Sequence, residues 1–576
     1  MSSSASRAER VKTGRHAILE QFLADGLSVM FGNPGTVEQG FLDALRDYPR
    51  LRYILTLQES VAVLMADGYA RATKKPALVQ LHSAPGVGNA VGALYQAMRG
   101  HSPLVVIGGD AGVKYMAMDA QMAGDLVALM EPVTKWATMV TDPASLLRVL
   151  RRAVKIAATP PMGPVYVCLP QDVLDAAAVE IPLPASIPST RVLPEPGLLR
   201  QAAEWLVSAN TPMIFVGDGV AFSGAQDELA RVAELLGAEV WEADAGEVNL
   251  DYTHPLYRGM TGHMFGSSSL PITSRGDVNL ICGTYVLPEV FPELGNIFGR
   301  GSRTIHIDLN LYEIAKNHPV DLGMLGDPKL SLAALAQSIE ALLTPERRQA
   351  AAKRTAQAAS QKKQRRDSEI ESERAKRDDT PIRMSRFAEE LTAQLPEDAI
   401  IFDEALTNSP PLTRYLPPRR GETYFLTRGG SLGVGIPGAL GVSIANPGKT
   451  VFGFTGDGGA MYTIQALWSA ARHNLPAKFV VCNNGSYRLL QLNIAQYWKE
   501  RQIEQHEFPL SFDLSHPVLR FDLMANSMGV RSARVEKPDE IAPAIRAALA
   551  HPGPFLIDLV LEGDTHPELI GNTCGQ

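Results

Sequence analysis

With 576 residues the chain exceeds what one hydrophobic core serves, so several domains are expected. Hydrophobic residues make up 45% and charged residues 20%, an ordinary balance for a globular protein. The formal net charge of −8 leaves no basic excess to neutralise phosphates, which excludes a nucleic-acid binder working through bulk charge.

The N-terminus, MSSSASRAERVKTGRHAILEQFL, lacks an apolar core of signal-peptide length, and residues 1–12 read as a flexible tail. From residue 13 to 185 helical patterns (HAILEQFLADG, AVGALYQAM) alternate with β-branched runs (ALVQLHS, PLVVIGG, GPVYVCLP). That alternation predicts a parallel sheet covered on both faces. Pro-rich text, IPLPASIPSTRVLPEPG, then marks a linker. A second α/β block at 198–344 carries the runs PMIFVGDG, AEVWEA, VNLICGTY and TIHIDLN. Residues 345–380 are densely charged and read as a solvated helix or linker. The third block, 381–576, contains AIIFDE, TVFGFTG, AKFVVCNN and PFLIDLVL. The expected fold is therefore α/β, with three doubly wound parallel-sheet domains.

The four cysteines, Cys168, Cys282, Cys482 and Cys574, are scattered, with neither a CxxC pair nor a His at finger spacing. A zinc site and a disulfide framework are not expected. No apolar stretch reaches the roughly 18 residues of a membrane span.

The most informative text is GDGGAMYTIQALWSAARHNLPAKFVVCNNGS, residues 456–486. An apolar strand ends in Gly456-Asp457-Gly458-Gly459, a helical segment follows, and a second apolar strand ends in Asn483-Asn484. Asp457 and Asn484 then stand at the C-terminal ends of two strands, where ligands bind in open α/β sheets. A carboxylate, an amide oxygen and a nearby backbone carbonyl are hard oxygen donors suited to Mg²⁺. The glycines allow backbone N–H groups to approach a diphosphate. GDG followed by NN, 26 and 27 positions after Asp457, is the motif for thiamine diphosphate.

Longer stretches carry a family resemblance. FGNPGT, LQESVAVLMADGYARAT, KPALVQLHSAPGVGNAVGAL and HSPLVV in the first block are followed in the third by GGSLGVGIPGALG, GDGG, QALWSAARHNLP and NNGSY. In that order the chain resembles the thiamine-diphosphate-dependent decarboxylase and acetolactate synthase superfamily, and within it the benzoylformate decarboxylases. The resemblance implies that Glu59 hydrogen-bonds N1′ of the aminopyrimidine ring from a half-buried apolar setting. It implies that Leu432 bends the cofactor into a V and that the Gly430 carbonyl accepts from the 4′-amino group. His82 matches a histidine that faces the reacting carbon and relays protons, and Thr36 falls where a serine contacts the substrate carboxylate. Asp457, Asn484 and the Ser486 carbonyl match the metal ligands. Tyr487 and the backbone of Gly458 and Gly459 match the neighbours of the diphosphate.

The pattern departs at the positions that choose substrate. Val290 stands where benzoylformate decarboxylases carry a second histidine, and His263 is the candidate replacement. Asn493 replaces an expected aromatic residue, and Ser83 after His82 removes the paired histidines of pyruvate decarboxylases. The implied reaction is non-oxidative decarboxylation of a 2-oxo acid through a C2 ylide and an enamine. A carboligase or lyase of the same superfamily, acetolactate-synthase-like or acting on a 2-hydroxyacyl-CoA, is the alternative. The expected context is a cytoplasmic homodimer or homotetramer with sites at subunit interfaces, using thiamine diphosphate and Mg²⁺ without FAD. Its substrate is a small 2-oxo acid or aldehyde, with no nucleic acid or membrane partner.

Overall fold

The computed structural model describes residues 12–243, 245–262, 264–285 and 289–563, so His263, Cys574 and all but Lys12 of the expected N-terminal tail lie outside the described residues. The chain divides into two compact units. One comprises the residues up to Ser189 with Gly429–Ser431 and Leu440–Ala445, and the other comprises the remainder.

The first unit is built on six parallel strands: β1 (Val29–Gly32), β2 (Arg52–Leu55), β3 (Ala77–Leu81), β4 (Leu104–Asp110), β5 (Ala137–Met139) and β6 (Val165–Pro170). Their order is β2-β1-β3-β4-β6-β5. β3 and β6 are buried at every residue, as expected of strands covered on both faces.

The second unit holds two more six-stranded parallel sheets. One contains β7 (Pro212–Val216), β8 (Glu239–Glu242), β9 (Tyr257–Met260), β10 (Val278–Cys282), β11 (Arg303–Asp308) and β12 (Leu322–Leu325), in the order β12-β11-β10-β7-β8-β9. The other contains β13 (Ile400–Glu404), β14 (Tyr424–Leu426), β15 (Val451–Gly456), β16 (Lys478–Asn483), β17 (Arg531–Val535) and β18 (Phe555–Val560), in the order β14-β13-β15-β16-β18-β17.

The strands expected from apolar runs form as expected. The sequence reading missed β1 and the two edge strands of every sheet: β2, β5, β9, β12, β14 and β17. At two edges the apolar signal fades because there is less to bury: four of the five residues of β17 (RSARV) are not buried, and β12 alternates buried with exposed residues, whereas β14 (YFL) is buried throughout but only three residues long. The single helix expected between Asp457 and the NN strand is two short ones, Asp457–Thr463 and Ala466–Arg472.

The charged stretch forms one helix, Pro345–Arg374, N-capped by the Thr344 hydroxyl, which accepts from the Arg347 N–H at 3.3 Å. It buries only Ala351 and Ala358, while Glu369 and Glu373 pair with Arg414. Within this unit the sheets share apolar packing, since Ala245, Val248 and Met260 join the core around Phe387, Phe452 and Phe454. A buried polar knot accompanies it. The Asp218 carboxylate accepts from Arg428, from the Gly246 N–H at 2.9 Å and from the Glu247 N–H at 3.0 Å, and the Leu426 N–H donates to the Gly246 carbonyl at 2.8 Å. Among the described residues no helix is long and apolar enough to cross a membrane.

Asp218 serves a buried guanidinium and two buried backbone N–H groups at once, so Asp218→Ala is expected to destabilise the protein by about 3 kcal/mol. Asp218→Asn should cost less, because an amide oxygen still accepts. Calorimetric unfolding of both variants checks the order.

Candidate active site

In the first unit, β2 leads into the helix Glu59–Thr73, which Glu59 opens, and the Gln58 side chain caps it by accepting from the Val61 N–H at 3.2 Å. Glu59 is buried, at 6% exposure, but its carboxylate does not face an apolar wall. Asn33 donates to Oε1 and Asn89 to Oε2, each at 3.0 Å. The half-buried apolar setting expected for this group is therefore replaced by a buried polar one. Gly86 lies against it: a Cβ there would stand 3.0 Å from Glu59 Oε1 and 3.2 Å from the Cβ of His82. A glycine thus lets Glu59 and His82 share one small space.

His82 follows the last residue of β3 and precedes the helix Ser83–Arg99. Ser83 has φ +34°, an uncommon backbone state for a residue with a side chain. Its hydroxyl donates to the Met122 carbonyl at 2.9 Å, which helps to hold the turn that aims His82. His82 Nδ1 lies 3.0 Å from Glu38 Oε2 and 3.2 Å from Oε1. A carboxylate on Nδ1 fixes the Nδ1–H tautomer and leaves Nε2 as the working nitrogen. Burial raises the Glu38 carboxyl above its usual range, with His82 opposing that shift. Two glycines fit the pair closely: a Cβ on Gly35 would stand 2.0 Å from the His82 ring, and one on Gly109 would stand 2.2 Å from Glu38 Oε1.

In the second unit, β15 and β16 run parallel with Gly456 opposite Cys482, so Asp457 and Asn484 emerge side by side at the strand tips. Asp457 Oδ1 accepts from the Gly458 N–H at 2.8 Å and Oδ2 from the Gly485 N–H at 2.7 Å. Asn484 Oδ1 accepts from the Ser486 N–H at 3.1 Å. Burial pushes the Asp457 carboxyl up to about 6. The Ser486 hydroxyl is buried without a hydrogen-bond partner. A Cβ on Gly458 would meet the Tyr487 ring at 2.3 Å, so only glycine lets the two pack. Tyr487 is itself anchored through its N–H to the Phe512 carbonyl at 2.9 Å.

The GGSLGVG loop bends through Gly429, Gly430 and Gly433, with φ of +73°, +77° and +88°. No atom lies within 4 Å of where a Gly430 Cβ would be, and Leu432 is half-buried. At the tip of β13, Glu404 is wholly buried. Its carboxylate accepts from the Gly433 N–H at 2.5 Å, the Gly435 N–H at 2.7 Å and the Thr455 hydroxyl at 2.9 Å. Burial pushes it up to about 7.

The remaining candidates are exposed or half-buried. Thr36 is exposed in the turn before Glu38 and caps no helix, because the next helix starts at Gln39 with Glu38 in the cap position. Val290 is 56% exposed beside Phe291, which stacks on Phe265 at 5.4 Å. Asn493 is half-buried on the helix Arg488–Arg501.

Sequence reasoning missed Asn33, Asn89, Glu38 and Glu404, although the first two lie inside the quoted motifs. Their signal is polar residue types in otherwise apolar or glycine-rich text, which assigns no partner without coordinates. Among the described residues no three His, Cys, Asp or Glu side chains cluster to hold a metal. An oxygen set of one carboxylate, one amide and one backbone carbonyl contains only one side chain of those four types, and it suits a hard cation. The orphaned Ser486 hydroxyl and the buried Asp457 carboxylate, which accepts from backbone N–H groups, fit a metal–diphosphate group.

Three family models match. The thiamine pyrophosphate enzyme N-terminal TPP-binding domain covers residues 12–129, the central domain 199–335 and the C-terminal TPP-binding domain 408–559. The chain is 31% identical over 554 residues to the benzoylformate decarboxylase of Pseudomonas aeruginosa, covering 95% of this chain and 99% of that one. It is 28% identical over 572 residues to a probable acetolactate synthase large subunit of Methanococcus aeolicus, covering 95% and 92%. Among solved structures, the thiamine-diphosphate-dependent 4-hydroxybenzoylformate decarboxylase of Rhodococcus jostii RHA1 superposes with a TM-score of 0.82 at 27% identity, covering 96% and 100%. With three TPP-domain matches in order and full-length relatives on the same three-sheet architecture, the chain belongs to the thiamine pyrophosphate enzyme family.

Proposed function

We propose that the protein decarboxylates a 2-oxo acid without oxidation, using thiamine diphosphate and Mg²⁺. The observation that carries this reading is the pairing of a buried, amide-held Glu59 with a carboxylate-oriented His82 around Gly86. Asp457, Asn484 and the Ser486 carbonyl hold Mg²⁺. Tyr487 and the Gly458–Gly459 backbone surround the diphosphate, and Leu432 and Gly430 support the rings. When bound, thiamine diphosphate supplies the electron-accepting thiazolium that a 2-oxo acid needs to lose CO₂.

The protein's own residues manage protons. Glu59 holds a proton at a carboxyl oxygen that would face the aminopyrimidine ring of a bound cofactor, while Asn33 and Asn89 fix the direction of the carboxyl group. His82 carries a proton at Nε2 to the reacting carbon, and Glu38 stabilises the imidazolium that precedes the transfer. The Thr36 hydroxyl receives the substrate carboxylate. The working form is a homodimer or homotetramer in which the first domain of one subunit faces the third domain of another. The domain boundaries are those of the sequence reading: 13–185, 198–344 and 381–576, with 345–380 as the charged linker, most of it the helix Pro345–Arg374. A cytoplasmic location agrees with the free, buried thiols of Cys168, Cys282 and Cys482.

A carboligase or lyase of the same family is the second reading, favoured by Val290 in the place of a second histidine. With one proton donor fewer, the intermediate lives longer and meets an aldehyde in place of a proton. Product analysis after mixing the holoenzyme with benzoylformate, pyruvate, aldehyde pairs and a 2-hydroxyacyl-CoA separates the two. Aldehyde from a 2-oxo acid supports the first reading. Acetolactate from pyruvate, or cleavage of the thioester, replaces it with the second.

Glu59→Gln is expected to keep the fold and cofactor uptake while lowering kcat by about 10²–10⁴-fold, the range of general acid–base contributions. Unchanged turnover removes Glu59 from the mechanism. Chelation of Mg²⁺, or Asp457→Ala, is expected to abolish cofactor uptake in titration calorimetry. Binding that persists in both shows that the strand-tip oxygens are not the metal site.

A further inference from the structure

Leu432 is half-buried in the GGSLGVG loop. The residue after it, Gly433, is gripped at both ends of its peptide group. Its N–H donates to Glu404 Oε1 at 2.5 Å, and its carbonyl accepts from the Thr463 hydroxyl at 2.6 Å. Its φ of +88° suits glycine, and a Cβ there would stand 2.7 Å from the Cβ of Tyr462. Glu404 ends β13, directly opposite Thr455 of β15, and its second oxygen binds both the Thr455 hydroxyl and the Gly435 N–H. Thr463 closes the helix that Asp457 opens. The strand order β14-β13-β15 makes this the point where connections leave the sheet in opposite directions, the usual ligand crevice of such sheets.

We propose that Glu404 and Thr463 are positioning residues that clamp Gly433 and so fix the Leu432 side chain relative to the Asp457 strand tip. This rests on the reading above, in which Leu432 supports the cofactor rings. The chemistry of the clamp is specific. The hydrogen-bond partners of Glu404 are all donors, and two are backbone N–H groups that cannot rotate. None is a cation. A carboxylate satisfies them with two acceptor oxygens, whereas a glutamine of the same size must turn its NH₂ toward one of them. Burial of an unpaired carboxylate at this point is expensive. It is retained where a neutral residue cannot hold Gly433 and Gly435 together.

The test compares wild type, Glu404→Gln and Thr463→Val, each first as cofactor-free protein and then with thiamine diphosphate and Mg²⁺. Without cofactor, amide hydrogen exchange over residues 432–436 is expected to rise about tenfold in either variant, the factor that one lost hydrogen bond is worth. With cofactor, exchange of its C2 proton for deuterium is expected to slow by about tenfold or more, because ring geometry is loosened. KM should change less than kcat. If Glu404→Gln fails to fold, Thr463→Val makes the same test with the carboxylate intact. Unaltered exchange at 432–436, or a lowered melting temperature with C2 exchange unchanged, overturns the clamp. A wild-type protein that takes up no cofactor defeats the proposed function instead, and exchange at 432–436 still decides whether the clamp exists.

Discussion

Four carboxylates that this chain keeps out of water, Glu38, Glu59, Glu404 and Asp457, are held without a lysine or arginine. Glu59 faces two asparagine amides, Asp457 two glycine N–H groups, and Glu404 two N–H groups and a hydroxyl; Glu38 faces a histidine. Burial raises Glu38, Glu404 and Asp457 above the usual carboxylate range, against the pull of these hydrogen bonds. A site built this way is unsatisfied until it meets a proton, a metal ion or a cationic ring. The parallel sheets exist, functionally, to bring such groups to their C-terminal edges while the strands behind them stay dry.

How these groups are placed explains what could be read from the amino acids. The GDGG–NN text was legible because the two ends of one β–α–β unit are close in sequence, and strand pairing of Gly456 with Cys482 follows from it. Glu59 and His82 were legible through their motifs. Glu404 was not. It sits 29 residues from Gly433 and 51 from Thr455, and in FDEALT nothing distinguishes a buried acceptor from a solvent-facing one. Glu38 escaped for the same reason, since it reaches His82 across 44 residues. Edge strands escaped for another: with one neighbour and one half-wet face they carry mixed text such as RSARV, which periodicity cannot separate from a loop.

The expectation of an apolar pocket around Glu59 shows a further limit. LQESVAVLMA is rich in apolar residues, and an apolar setting is the natural inference from neighbours in the chain. Those neighbours point into the helix packing behind Glu59, with Val61, Ala62, Val63 and Met65 fully buried. The carboxylate looks the other way, toward Asn33 and Asn89. Local composition reports what a helix packs on, and a residue at the first turn can face something different.

The same division accounts for the relatives. On the function proposed above, the cofactor would meet mainly backbone: the glycines Gly430, Gly458 and Gly459, with Gly430, Gly433 and Gly485 at positive φ, and peptide N–H groups at strand tips. Replacing one of these either strains the chain or fills the space that a ring or phosphate needs, as the Tyr487 ring shows at Gly458. What would recognise a substrate is side chain: Thr36 in an exposed turn, Val290 on an exposed loop, Asn493 on a half-buried helix face. Such positions change without disturbing a sheet. Identities of 31% to a benzoylformate decarboxylase and 28% to an acetolactate synthase over nearly the whole chain leave most side chains free to differ while the three-sheet framework is kept.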